Sequence, residues 1–119
     1  MNFSTGKLVK SFGYAFKGFA FVVKTQQNFR FHLLVTLAVI VSGFIAKLSP
    51  AEWCLVILTI AMVLAIEILN TAVEKLVDFI SPGFHEQAGM VKDISAAAVL
   101  LTAIGAVTIG CIIFLPKIF

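Results

Sequence analysis

Residues 53–78 read WCLVILTIAMVLAIEILNTAVEKLVD. From Trp53 to Ile66 the run is apolar except for Thr59, and Glu67-Ile68-Leu69-Asn70-Thr71-Ala72-Val73-Glu74 follows with no helix breaker between. Such a run enters a membrane as a helix, because hydrocarbon offers the backbone no partners but its own. At about 100° per residue, Glu67, Asn70, Thr71, Glu74 and Asp78 fall within roughly a third of the helix circumference. Carboxylates near lipid are costly and face a protein interior, a water-filled cleft or a bound ion. The segment therefore predicts a helix that crosses the bilayer and carries a polar site where it leaves it.

Composition agrees with that reading. The chain has 119 residues, 61% hydrophobic and 13% charged, with a mean hydropathy of +1.08. Soluble domains are roughly half apolar and a quarter charged. The class is an all-α integral membrane protein of one domain, residues 1–119. A unit with so few helices hardly encloses a polar site alone, so an oligomer is expected. Cys54 and Cys111 stand singly in apolar segments and read as small core hydrophobes. No zinc spacing, phosphate-loop lysine motif or dinucleotide glycine fingerprint is present. The N-terminus shows no convincing cleavable signal, and no nucleic-acid partner is expected.

Outward from the central segment, residues 5–28 read as an amphipathic surface helix. Leu8, Phe12, Ala15, Phe16, Phe19 and Val23 share one face, and Lys7, Lys10, Lys17 and Lys24 another. That pattern lies in the interface, aromatic side down and lysines toward headgroups. Three transmembrane helices follow, over 29–48, 50–80 and 93–116. Ser49-Pro50-Ala51-Glu52 signals a helix start, with Ser49 as cap, Pro50 first and Glu52 third. Trp53 is an interfacial anchor. Ser81-Pro82-Gly83 breaks the second span, and Phe84 to Lys92 reads as a polar connection before Asp93 or Ser95 caps the third. The third span is rich in Ala and Gly, which lets helices pack closely in lipid, and is expected to end before Pro116.

Five of the nine basic residues (Lys7, Lys10, Lys17, Lys24, Arg30) precede the first span. Lys75 and Lys92 flank the second connection, and Lys47 and Lys117 fall on the other side. The positive-inside rule puts the N-terminus, the second connection and the acidic face in the cytoplasm, where ATP and Mg²⁺ are available. Glu67 and Glu74 are two helical turns apart, a rise of ~10 Å, too far to share a proton. They suit separate tasks. A poorly solvated carboxylate is the stronger base toward an alcohol, and a shallower one suits Mg²⁺, which takes one or two carboxylates with phosphate oxygens and waters. Lys92, Lys7 and His85 suit phosphate as charged donors, and Asn70 lies between the acids. The chemistry that fits is phosphoryl transfer from a magnesium nucleotide to a hydroxyl at the membrane surface.

Glu67 to Glu74, then Asp78, His85, Lys92-Asp93 and Ala96-Ala97-Ala98-Val99, closely resemble the signature of the prokaryotic diacylglycerol kinase family, which includes the undecaprenol kinases. Ser11-Phe12-Gly13-Tyr14-Ala15 with Lys17-Gly18 is similar to its N-terminal element. The resemblance spans nearly the whole chain. It implies a small membrane lipid kinase of a bacterial plasma membrane, multi-pass, and a homotrimer with composite sites between subunits. By position, Glu67 matches the catalytic base and Glu74 a metal-binding glutamate. Tyr14, His85, Lys92 and Asp93 match nucleotide-contacting positions, as do Lys7, Gly83 and Phe84. The family's second metal-binding glutamate falls on Gln26, whose amide keeps a carbonyl oxygen but not the charge. Asn28-Phe29-Arg30-Phe31-His32-Leu33, Glu52-Trp53 and Ser95-Ala96 look more like the undecaprenol branch than the diacylglycerol branch.

Blander readings stand beside these. Glu67 or Glu74 can pair with a lysine at a helix interface, His85 can be a plain loop residue, and Tyr14 an interfacial anchor. An ion-path subunit fits acids in a membrane, although the other spans offer almost no polar midplane residues. A retired scaffold fits Gln26. The expected function is ATP- and Mg²⁺-dependent phosphorylation of undecaprenol, with diacylglycerol as the alternative acceptor.

Overall fold

Four helices in chain order account for nearly all of the described residues: α1 Thr5–Thr25, α2 Gln27–Ala46, α3 Pro50–Ile80 and α4 Glu86–Ile118. The computed structural model describes residues 4–119, so residues 1–3 of the expected 1–119 domain lie outside the described residues. Helices α2, α3 and α4 are each long and apolar enough to cross a membrane. Helix α1 is exposed from Thr5 to Phe21 and touches the bundle through its last turns, where Val22 is buried.

Helices α1, α3 and α4 each start on a side-chain cap, from Ser4, Ser49 and His85. At α3 the capping box forms as its sequence predicts. Glu52 N donates to Ser49 Oγ at 3.2 Å, and Ser49 N donates to Glu52 Oε1 at 2.9 Å. Lys117 Nζ, at the far end of α4, lies 3.1 Å from the same carboxylate. α3 and α4 therefore run antiparallel and pack along their lengths. At 1.5 Å per residue, 31 and 33 residues give rods of ~45–50 Å, well beyond a ~30 Å hydrocarbon core. The C-terminal end of α3 and the N-terminal end of α4 thus project together from the same side of the membrane-crossing region. The 20-residue α2 only just matches that core.

Several boundaries differ from the sequence-based ones. The surface helix ends at Thr25 rather than residue 28, and α2 begins at once at Gln27. Gln26 forms the corner, and Arg30 secures it by donating from its guanidinium to the carbonyls of Val23 and Lys24, both at 2.9 Å. Those carbonyls are among the ones a helix end leaves without partners. α4 begins at Glu86, not at 93, so Phe84 to Lys92 is mostly helix. His85 is the cap, its Nδ1 accepting from Gln87 N at 3.1 Å. Glu, Gln, Ala, Met and Lys are good helix formers and extend the helix back to that cap. Nor does Pro116 end α4. It falls in the last turn, which Phe119 N closes by donating to Leu115 O at 3.0 Å.

The turn at the opposite end is tight. Lys47 adopts a left-handed conformation (φ 56°), and Leu48 N donates to Gly43 O at 3.1 Å. Trp53 reaches back over Gly43 and lies 4.9 Å, centroid to centroid, from Phe44. Leu48, Val56 and Ile113 form a small core there. The small residues of α4 are divided between open space and a groove. Gly105 and Gly110 face open space, while Ala103, Ala106 and Gly110 line a groove of about 430 Å³ between α2, α3 and α4. Cys54 and Cys111 are exposed on the outer faces of their helices rather than in the core.

Candidate active site

The polar face of α3 is graded in depth. Glu67 is 6% exposed, Asn70 and Glu74 are half-buried, and the Asp78 side chain is 63% exposed. Glu67 lies where α2 closes over α3, and His32 from the second turn of α2 meets it, Nε2 lying 3.1 Å from Glu67 Oε1. Thr71, also buried, spends its hydroxyl on the Glu67 carbonyl at 3.1 Å. One turn farther on, Asn70 Nδ2 donates to Glu74 Oε1 at 3.3 Å. The other amide atom, Asn70 Oδ1, is buried without a hydrogen-bond partner. A buried carbonyl left unpaired costs on the order of 1–3 kcal/mol, so this oxygen is available to a partner from outside the chain.

The remaining sequence-predicted residues surround the projecting ends of α3 and α4. Lys92, in the second turn of α4, lies 2.6 Å from Asp78 Oδ1 and ties the two helices together. Asp93 follows it and is exposed. His85 caps α4, and Gly83 and Phe84 sit exposed in the short turn between α3 and α4. Lys75 lies over the Phe21 ring at 4.7 Å and draws the end of α1 onto α3, while Phe19 meets buried Phe29 edge to face at 5.5 Å. Gln26 sits at that corner with its amide nitrogen directed at Thr25 Oγ1, 3.3 Å away. Lys7 and Tyr14, by contrast, stand on the exposed N-terminal half of α1.

Three features of this site lie outside the sequence-based residue set. His32 reads in sequence as a flanking residue of the first span. Its signals are its place in the Asn28 to Leu33 stretch and an ionisable side chain one turn before Thr36 in an apolar helix. Asp78 shares the acidic face, but its pairing with Lys92 joins residues 14 apart on different helices. The unpaired Asn70 oxygen is visible only in three dimensions. Among the described residues, no three His, Cys, Asp or Glu side chains converge into a metal cage. Magnesium does not require one, since it keeps waters and binds through one or two carboxylates plus substrate phosphates. The Glu74 carboxylate with the free Asn70 carbonyl fits that kind of ion.

The fold and site together define a helical membrane protein with one buried acid and a charged cluster at the same end. The model of the prokaryotic diacylglycerol kinase family matches residues 13–114, and the chain belongs to that family. It is similar to the undecaprenol kinase of Bacillus subtilis, with 39% identity over 112 residues covering 94% of this chain and 91% of that one. It is equally similar to a diacylglycerol kinase of Synechocystis, with 39% identity over 93% of this chain and 64% of that longer protein. The diacylglycerol kinase of Escherichia coli is 33% identical over 94% of this chain and 93% of its own length. The chain is accordingly a lipid kinase, a membrane-embedded transferase.

Proposed function

We propose that the chain transfers the γ-phosphoryl group of ATP to the hydroxyl of a membrane lipid alcohol, with undecaprenol the preferred acceptor and diacylglycerol the second. The observation that carries this reading is Glu67, a carboxylate buried beside the head of an apolar groove. His32 and Val63 line the groove, and Val63 lies one turn before Glu67 on α3. A hydrocarbon chain lying in the groove brings its terminal hydroxyl to Glu67. Glu67 accepts the hydroxyl proton as that oxygen attacks the γ-phosphorus, and ADP leaves with the bridging oxygen. The preference for undecaprenol is supported by the branch markers, since Phe31 and His32 both line the groove.

Lys92 and His85 steady the nucleotide phosphates, with Asp93, Gly83 and Phe84 beside them. Glu74 and the Asn70 carbonyl, helped by the Gln26 amide, would hold Mg²⁺. When bound, that ion neutralises charge on the phosphate oxygens. Lys7 and Tyr14 lie on the exposed half of α1, which supports a homotrimer in which they reach the site of a neighbouring subunit. The basic residues of α1, with Lys75 and Lys92, support a cytoplasmic active site on the bacterial plasma membrane. Glu67→Gln tests the reading. Transfer falls by about 10²–10⁴-fold, the usual weight of a general base, while nucleotide binding is kept. Retention of most of the turnover removes Glu67 as the base.

A further inference from the structure

Transfer to an alcohol leaves a proton that the mechanism above deposits on Glu67 and does not remove. The substrate O–H bond breaks, an O–P bond forms, the bridging P–O bond breaks, and the carboxylate becomes a carboxylic acid. That acid must lose its proton before the next turnover. Its side chain is 8% exposed, so water reaches it poorly. The basic group within 4 Å of it, among the described residues, is His32, and the His32 side chain is 24% exposed. His32 thus borders the acid and, at the head of the groove, is the more open member of the pair.

Resting on the lipid-kinase reading, we propose that His32 is the proton exit of the site: Nε2 takes the proton from the Glu67 carboxyl, and the imidazole passes a proton to water. Two distinct ring nitrogens allow a histidine to accept on one side and release on the other. Among the described residues, no other basic group lies within 4 Å of Glu67. Arg30, on the same helix, is turned to the carbonyls of Val23 and Lys24. Lys75 of α3 lies over Phe21, and Lys92 of α4 is engaged by Asp78. Thr71 of α3, the nearest hydroxyl on the backbone side, is bonded to the Glu67 carbonyl. His32 acts through Glu67 and is a positioning residue rather than a catalytic one.

The test uses the full chain in mixed micelles, with ATP and a lipid alcohol, in buffers that carry protons poorly. In His32→Ala the first turnover proceeds, but the steady-state rate drops by about ten- to a hundredfold, within the range of a lost proton-transfer group. Added imidazole restores the rate in a saturable way. His32→Gln keeps a polar contact to the carboxylate but cannot carry a proton, so it is equally slow and equally rescued. A His32→Gln variant at the wild-type rate overturns the proposal, and so does a slow variant that imidazole leaves unchanged. A wild-type chain that transfers no phosphate overturns the lipid-kinase reading itself.

Discussion

Burying a carboxylate is costly unless something compensates, and each acid of the α3 face meets that demand differently. Asp78 remains largely in water and pairs with Lys92; Glu74 takes the Asn70 amide; Glu67 has His32. The gradient itself is legible in the sequence, because a 3.6-residue period places all three acids on one stripe of a helix leaving the membrane. The partners are not. His32 and Lys92 come from other helices, and no periodicity within one helix says which residue of another lies opposite. Gln26 is legible as a neutral residue at an otherwise acidic position, and its prediction belongs here. Gln26→Glu adds a carboxylate at the corner of α1 and α2. It should lower the half-saturating Mg²⁺ concentration on the order of tenfold, the equivalent of about 1.4 kcal/mol. Titrating activity against Mg²⁺ checks this; an unchanged dependence puts Gln26 outside the metal's surroundings.

Among the elements, α3 follows its sequence signals from cap to break, because Ser49-Pro50-Ala51-Glu52 and Ser81-Pro82-Gly83 are strong local instructions. α4 does not. Its start is set by His85, whose imidazole caps a helix in place of the oxygen-bearing side chains that usually do so, and Asp93 lies well inside the helix. The turn between α2 and α3 depends on a close approach that composition alone conceals. A Cβ at Gly43 would lie 2.6 Å from the Trp53 ring and 3.0 Å from Leu48 Cδ1. Leu48 can shift, but the indole lies over Gly43 and against the Phe44 ring. Gly43→Ala should therefore destabilise the protein by about 1–3 kcal/mol, the usual range for overpacking, lowering its thermal midpoint in detergent. An unchanged midpoint means that the turn repacks freely.

For the whole molecule, the N-terminal half of α1 is exposed and the groove between α2, α3 and α4 is open. Lys7 and Tyr14 extend away from the bundle, and large apolar side chains cover its outside, including Phe16, Phe44 and Ile112. Lipid accounts for much of that surface. Under the proposed homotrimer, Lys7 and Tyr14 reach the site of a neighbouring subunit. If sites are shared, co-assembling Tyr14→Ala with Glu67→Gln gives more transfer than either variant alone, because some sites in the mixture receive both native residues. Mixed assemblies without that gain place each site within one chain. The three spans are legible in hydropathy alone; the assembly is not, since an apolar face reads the same against lipid as against another subunit. The central claim, phosphoryl transfer to a lipid alcohol, is tested most directly with γ-labelled ATP and Mg²⁺, offering undecaprenol and diacylglycerol side by side in mixed micelles. The account predicts label on both lipids, with undecaprenol phosphorylated faster. Label on neither, from folded protein, contradicts it.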